Sequence, residues 1–302
     1  MRTIPDARSK EPLAKSAPLS TDGLVEQAIR ARCDPGGKAL VPFFTAGFPN
    51  DGRFVEALRQ AADVGCDVVE VGVPFSDPLA DGPVIQSAGQ RCLERGMTVR
   101  RALDLIERSA VPLPVVLMSY LNPLLSYGGE RLLRDARAVG VRGLVVPDLP
   151  LKSRVPSRKL PSPTGRFDAL DAADQLFHGA LERILLAAPT TPKTRLALIG
   201  RQTRGFLYAV TVTGVTGVRD RLPPETAEFL RRARAATRRP VLAGFGIASA
   251  NAAAHIAIHC DGVIIGSAII EILRRGPGRE SIKRLGRFLV QVRRALSERK
   301  GR

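Results

Sequence analysis

Two acidic residues, Glu70 and Asp81, have the spacing of a pair that could perform acid and base chemistry. Glu70 interrupts the run DVVEVGV (67–73), whose β-branched valines predict a parallel strand buried on both faces. Since side chains alternate along a strand, Glu70 shares a face with Val68 and Gly72. A buried carboxylate there needs a raised pKa, a partner or access to a cavity. Asp81 follows on a proline-rich loop, and a carboxylate on a strand with another beyond its carboxyl end is typical of α/β active sites.

Each acid taken alone also has a purely structural interpretation. Glu70 at the end of a strand would reach water, and Asp81 in the sequence Asp-Gly-Pro would serve a turn. The two residues alone do not decide between these interpretations and catalysis.

Three glycine-bearing segments late in the chain indicate a phosphate site. They are TGVTG (213–217), GFG (244–246) and GS (266–267), and each lies at the end of a predicted strand. Glycine lets the backbone approach an anion, and N–H groups at a helix start point towards it. Each segment alone would also suit tight packing. Together they predict a ligand that carries a phosphate, held after strands seven and eight of a barrel.

The elements that position these residues alternate between strand and helix. Eight such units over about 250 residues predict an α/β fold, a (β/α)8 TIM barrel, in one domain over residues 21–302. A doubly wound open sheet is the alternative, but no GxGxxG fingerprint follows the first strand. Residues 1–20 are polar, contain three prolines and are predicted to form a disordered tail. The predicted strands are 39–47, 67–73, 114–120, 141–148, 183–189, 205–212, 240–247 and 262–269.

The net charge of +17 is carried mainly by three appendages. Residues 274–302 carry +9, the insertion 152–166 carries +5 and residues 1–20 carry +2, so the body is nearly neutral. Nucleic acid is one possible partner of such basic segments. A solvated basic fringe is favoured, because no nucleic-acid module is present and aromatic residues for base stacking are few.

The chain is expected to be cytoplasmic. No apolar run reaches the ~18 residues of a membrane span, and the N-terminus lacks the apolar core of a signal peptide. Four scattered cysteines without CxxC spacing are typical of reduced thiols. His255 and His259, next to Cys260, have the spacing of a metal face, but no third ligand motif accompanies them, so no metal site is predicted.

The segment VEVGVPFSDPLADGPVIQ resembles the signature of the tryptophan synthase alpha subunit. The resemblance covers residues 21–275, through VPFFTAGFP, VLMSYLNPLLSYG, VRGLVVPDLPL, LAAPTTP, GFLYAVTVTGVTGVR, GFGI and IIGSAI. It implies a barrel that cleaves indole-3-glycerol phosphate to indole and glyceraldehyde 3-phosphate, with no metal or organic cofactor of its own. It also implies a partner beta subunit that carries pyridoxal phosphate, in an alpha2-beta2 heterotetramer, and neither nucleic acid nor membrane as a partner.

The resemblance assigns roles to individual residues. Glu70 matches the general acid and base, Asp81 the acid that binds the indole N–H, and Tyr208 the tyrosine near the glutamate. Positions lining the indole pocket match Phe43, Ile85, Met118 and Phe245, for which ordinary barrel packing is the alternative. The mobile loop over the substrate matches Thr216 and Gly217. The phosphate contacts match Gly217, Gly246, Gly266 and Ser267.

Two segments depart from the family pattern. The basic insertion 152–166 follows strand four, on the face where the beta subunit of the family docks. It motivates the alternative of a free-standing lyase that is not coupled to a beta subunit. The basic C-terminal extension is not explained by the resemblance, and its apolar stripe predicts a helix packed on the barrel. A phosphate-sugar isomerase and a non-catalytic barrel that serves as a partner are the remaining alternatives.

Overall fold

The computed structural model describes residues 23–149, 151, 181–211, 223–244, 246–276 and 278–297. The predicted tail (1–20) and the insertion (152–166) lie outside these residues. Eight parallel strands pair in chain order, and the last pairs with the first. The predicted (β/α)8 barrel is therefore confirmed, and the open sheet is excluded because such a sheet would leave two unpaired edges.

The strands are β1 (Ala39–Thr45), β2 (Val69–Gly72), β3 (Val115–Met118), β4 (Val141–Val145), β5 (Glu182–Ala187), β6 (Leu207–Val210), β7 (Val241–Gly244) and β8 (Gly262–Ile265). The described helices are α1 (Leu24–Cys33), α2 (Asp51–Asp63), α3 (Pro83–Leu93), α4 (Val99–Ser109), α5 (Leu121–Tyr127), α6 (Gly129–Ala138), α7 (Lys193–Gln202), α8 (Pro224–Ala236), α9 (Ala250–Ala257), α10 (Ser267–Arg274) and α11 (Arg279–Ser297).

Several strands are shorter than predicted, because their ends serve neighbouring helices. The predicted strand 141–148 ends at Val145, and the Asp148 carboxylate beyond it accepts a hydrogen bond from the Leu121 N–H at 2.9 Å. That contact caps the start of α5, a helix that the sequence pattern did not reveal. The predicted strand 262–269 ends at Ile265, and Ser267 begins α10.

Two apolar layers hold the barrel together. An inner layer fills the barrel, and an outer layer lies between the strands and the surrounding helices. Helix α1 closes the amino end of the barrel, because Val25 and Ile29 are fully buried in the inner layer. Glu182, the first residue of β5, fixes this helix by accepting hydrogen bonds from the backbone N–H groups of Val25 and Glu26, at 2.7 and 3.2 Å.

The C-terminal helix α11 packs on the barrel, as its apolar stripe predicts. Leu285, Leu289 and Val292 are fully buried, and α11 lies against α2, α9 and α10. The Arg293 guanidinium donates to the backbone oxygens of Lys38 and Gly65, each at 2.9 Å, and to Asp67 Oδ2 at 2.6 Å. This helix is thereby joined to the chain segments that begin β1 and β2. Within the described part of the chain, no helix has the length and apolar character needed to cross a membrane.

Candidate active site

Glu70 lies in β2 and is fully buried at the level of Phe43 on β1 and Val116 on β3. Neither carboxylate oxygen accepts a hydrogen bond from a described residue. Burial, with a smaller contribution from the charge of Asp81, raises the pKa of Glu70 to about 8. Of the options open to a buried carboxylate, full burial without a hydrogen-bond partner favours the raised pKa. The group is mainly protonated at neutral pH, so it can donate a proton.

Asp81 lies on the loop between β2 and α3 and is half-buried. Burial raises the pKa of Asp81 to about 6, and a hydrogen bond from the Tyr120 hydroxyl opposes that rise. The Tyr120 hydroxyl also accepts a hydrogen bond from the Ala80 N–H at 3.0 Å. Its ring lies against Phe75, with the two ring centroids 5.2 Å apart. Tyr120 therefore orients the loop and helps to keep Asp81 ionised at neutral pH.

Tyr208 lies in β6 and is buried inside the barrel. Burial and then the nearby charges of Glu70 and Asp81 raise the pKa of Tyr208 well above its usual range. The phenol is therefore neutral and electrostatically coupled to both acids. A side chain at Gly244 on β7 would place a Cβ 2.6 Å from the Tyr208 ring, so the glycine provides the space for this ring.

Apolar side chains surround the two acids. Phe43 is buried at the carboxyl half of β1, and a Cβ at Gly72 would lie 2.7 Å from the Phe43 ring atom Cε2. Met118, the last residue of β3, is also buried in the inner layer. Ile85 on α3 is half-buried and packs against both apolar layers. These three residues are thus near the acids at the carboxyl end of the barrel.

The glycines after β7 and β8 lie at the same end of the barrel. Gly246 has a φ of 75°, a left-handed conformation that favours glycine. Gly266 is the N-cap residue of α10 and Ser267 is its first residue, so the free N–H groups of this helix start face the end of β8. Since β7 and β8 are neighbours, the two turns are adjacent. Thr216, Gly217 and Phe245 lie outside the described residues.

Sequence reasoning assigned no role to three polar residues near the site. Tyr120 lay in a quoted motif, but nothing in its spacing shows that it reaches Asp81 across two loops. The buried hydroxyls of Thr45 and Ser119 have no hydrogen-bond partner among the described residues. Thr45 is the last residue of β1 and Ser119 follows the last residue of β3, so both lie at the carboxyl end of the barrel.

The described residues contain no group of three or more His, Cys, Asp or Glu side chains that could hold a metal ion. His255 and His259 lie at the end of α9 and in the turn after it, on the outside of the barrel. A protonated carboxyl, an ionised carboxyl and a neutral phenol are electrostatically coupled among apolar side chains, and a helix start that could bind an anion lies at the same end of the barrel.

Comparison with known proteins identifies the family. The model of the family described as "Tryptophan synthase alpha chain" matches residues 30–298. The chain belongs to the tryptophan synthase alpha chain family. The tryptophan synthase alpha chain of Carboxydothermus hydrogenoformans is 43% identical over 251 residues, 82% of this chain and 88% of the relative. That of Geobacter sulfurreducens is 40% identical over 261 residues, 86% of this chain and 93% of the relative.

Solved structures agree with this family. A tryptophan synthase subunit alpha from Legionella pneumophila is 29% identical, with a TM-score of 0.76 over 91% of this chain and 98% of that chain. A chain of tryptophan synthase from M. tuberculosis is 31% identical, with a TM-score of 0.73 over 91% and 99% of the two chains. The family match extends to residue 298, so α11 is part of the shared fold. The expectation that the C-terminal segment lies beyond the family pattern was wrong.

Proposed function

We propose that this chain is a carbon–carbon lyase of L-tryptophan biosynthesis. It cleaves indole-3-glycerol phosphate to indole and glyceraldehyde 3-phosphate, as the alpha subunit of a tryptophan synthase. The observation that carries this proposal is the pair of carboxyls with separated pKa values, about 8 for Glu70 and about 6 for Asp81, among apolar side chains of a barrel of this family. Members of such a pair can act as acid and as charge stabiliser in one step.

Glu70 is the proposed general acid and base. Its protonated carboxyl donates a proton to indole C3, which turns the ring into an electron sink. The glycerol hydroxyl next to the ring then loses its proton to a basic group, for which the Glu70 carboxylate just formed is available. A carbonyl forms, the carbon–carbon bond breaks, and its electron pair returns to the indole ring. A pKa near the working pH favours both transfers.

Asp81 is the proposed partner of the indole N–H. Protonation at C3 places positive charge on the ring nitrogen, and an ionised carboxylate stabilises that charge at short range. Tyr208 is the proposed neutral neighbour of Glu70, since its charged form is strongly disfavoured. The proposed indole pocket consists of Phe43, Ile85, Met118 and Phe245. The proposed loop over the substrate contains Thr216 and Gly217, and the proposed phosphate contacts are Gly217, Gly246, Gly266 and Ser267.

The proposed partner is a tryptophan synthase beta subunit in an alpha2-beta2 tetramer. The beta subunit would hold pyridoxal phosphate and receive the indole, whereas this chain needs no cofactor for the retro-aldol step. Leu79, on the loop next to Asp81, is 91% exposed, the largest exposed fraction among the large apolar side chains that the structure describes. An apolar side chain at the mouth of the site supports docking of a partner there.

Turnover of indole-3-glycerol phosphate, followed as indole release, tests the function. The isolated chain should be slow and should accelerate sharply on addition of a beta subunit, because docking orders the loops that exclude water. Fast turnover that the beta subunit does not change would instead establish a free-standing lyase. No indole under either condition would refute the proposal.

Substitution tests the proposed roles. Glu70→Gln should retain substrate binding and lose cleavage by at least about 10²–10⁴-fold, the usual contribution of an acid/base group. Glu107→Gln, at an exposed position of α4, is the matched control and should be unchanged. Retained cleavage in the Glu70→Gln variant would mean that another group transfers the proton.

A further inference from the structure

A second cavity opens at the end of the barrel opposite the candidate active site. Its volume is about 280 Å³, and it lies between the end of α1 and the segments that precede β7 and β8. Four arginines line it: Arg30, Arg234, Arg238 and Arg239. The proposed lyase reaction uses none of them.

Two of the three carboxylates near this cavity, Glu26 and Asp261, are already engaged. Glu26 pairs with both Arg30 and Arg239. Asp261 lies 3.4 Å from the Arg234 guanidinium through Oδ1, and its Oδ2 accepts the Val241 N–H at 2.8 Å. Arg238 has no ion pair or hydrogen bond from its side chain to any described residue. With Asp34, three carboxylates face four guanidinium groups.

Three of the guanidinium groups are paired with carboxylates, and the cluster as a whole keeps one positive charge in excess. A bound anion would balance that charge. A guanidinium presents paired N–H donors that match two oxygens of a phosphate, and arginine is the preferred residue for such recognition. The volume lies near the lower limit of small-molecule pockets, so the occupant is small.

We propose that this cavity is an anion site for a small phosphate-bearing molecule. Arg234 and Arg238 contact the phosphate, and Arg30 and Arg239 add positive potential from their places beside Glu26. Asp34 and Asp261 restrict the site to ligands whose phosphate can face away from them.

Cys33 reports directly on the occupancy of this cavity. It lines the cavity, and its thiol donates to the Asp261 carbonyl oxygen at 3.0 Å. The three other cysteines, Cys66, Cys92 and Cys260, are buried. Burial raises the pKa of the Cys33 thiol to about 11, so alkylation is slow and is best followed at pH 9.

The experiment measures the rate of Cys33 alkylation by iodoacetamide in the full-length chain, by peptide mass spectrometry. Pyrophosphate, orthophosphate and glycerol 3-phosphate are titrated at constant ionic strength, with chloride as the balancing anion. We expect each phosphate compound to slow alkylation severalfold in a saturable manner. Protection by orthophosphate and pyrophosphate without protection by glycerol 3-phosphate would assign inorganic anions, and protection by glycerol 3-phosphate would include phosphate monoesters.

Variants decide whether the arginines hold the anion. Arg238→Gln should weaken the protecting affinity about tenfold, since hydrogen bonds to charged groups commonly contribute that much. Arg234→Gln should act in the same direction. Arg108→Gln removes the same charge from an exposed position of α4 and should have no effect. Absence of protection, equal protection by chloride, or unchanged protection in both Arg234→Gln and Arg238→Gln would overturn the proposal. Because Cys33 reports only on this cavity, the result is independent of lyase activity.

Discussion

Because Glu70 is buried, we expect its ionisation alone to make the free energy of unfolding depend on pH. Its pKa is about 8 in the folded chain, against 4.5 when it is solvated. Between these values the folded state binds a proton that the unfolded state does not bind. The free energy of unfolding therefore falls as pH rises through this window. Glu70→Gln replaces the titrating group with a neutral amide of similar shape, so the free energy of unfolding of this variant lacks the pH dependence that Glu70 contributes.

The magnitude follows from the two pKa values. The full shift corresponds to about 5 kcal/mol, at about 1.4 kcal/mol for each pKa unit. Linkage over the interval from pH 5 to pH 8 gives about 3.5 kcal/mol. The Tyr208 phenol also responds to the charge of Glu70, but it titrates above this interval and does not contribute to the difference. The difference in unfolding free energy, variant minus parent, should thus increase by about 3.5 kcal/mol from pH 5 to pH 8.

Urea denaturation at pH 5, 6.5 and 8 measures this difference. The chain contains no tryptophan, so far-ultraviolet circular dichroism is the suitable signal. With a denaturant slope of about 3 kcal/mol/M, the two midpoints should move apart by about 1 M. Glu107→Gln is the exposed control and should follow the parent at every pH. If the unfolding free energies of the Glu70→Gln variant and the parent changed in parallel with pH, water or a partner group would be stabilising the ionised form of Glu70, and the prediction would be wrong.

Three further changes test other contacts. Gly244→Ala places a Cβ 2.6 Å from the Tyr208 ring, so it should cost about 1–3 kcal/mol of stability and abolish indole formation. Gly52→Ala on α2 is the control, because its Cβ meets only the Asn50 side chain at 3.6 Å, and it should be tolerated in both assays. Arg293→Met leaves the buried Asp67 carboxylate without one of its cations and should lower the free energy of unfolding, measured with urea, by about 3 kcal/mol. An equal effect of Arg294→Met, at an exposed position of α11, would contradict this. Tyr120→Phe removes the hydrogen bond that lowers the pKa of Asp81, so the acidic limb of the pH profile of kcat/KM should move to higher pH; an unchanged limb would show that Asp81 ionisation does not control the rate.

Local patterns of the sequence were sufficient to predict the barrel and the position of Glu70. A strand buried on both faces has a continuous apolar pattern, so an acid within it is visible without a structure. The ends of the strands were not predictable in the same way. Whether residues 146–148 continue a strand depends on the use of Asp148 as a cap for α5, a contact between segments 27 residues apart.

The sequence analysis found Tyr208 but did not find the hydrogen bond from Tyr120 to Asp81. Tyr208 was found through a family motif, but its need for a glycine at 244 depends on the pairing of β6 with β7. Tyr120 acts through the loop that carries Asp81, and loop contacts leave no periodic signal. The arginine cavity gathers residues from α1, α8 and the segments before β7 and β8, and only the closed barrel brings them together.

The Arg293 contact has a consequence for synthesis on the ribosome. The Arg293 guanidinium, which donates to the Asp67 carboxylate, lies in the last described helix, 226 residues after Asp67. The first strand, β1, pairs with the last, β8. Arg32 and the Leu40 N–H, which also donate to Asp67, are made early, but the Arg293 contact and the second edge of β1 stay open until nearly all of the chain has been made. Closure of the barrel between β1 and β8 is therefore a late, long-range step, and the edge of β1 is exposed to other chains until then.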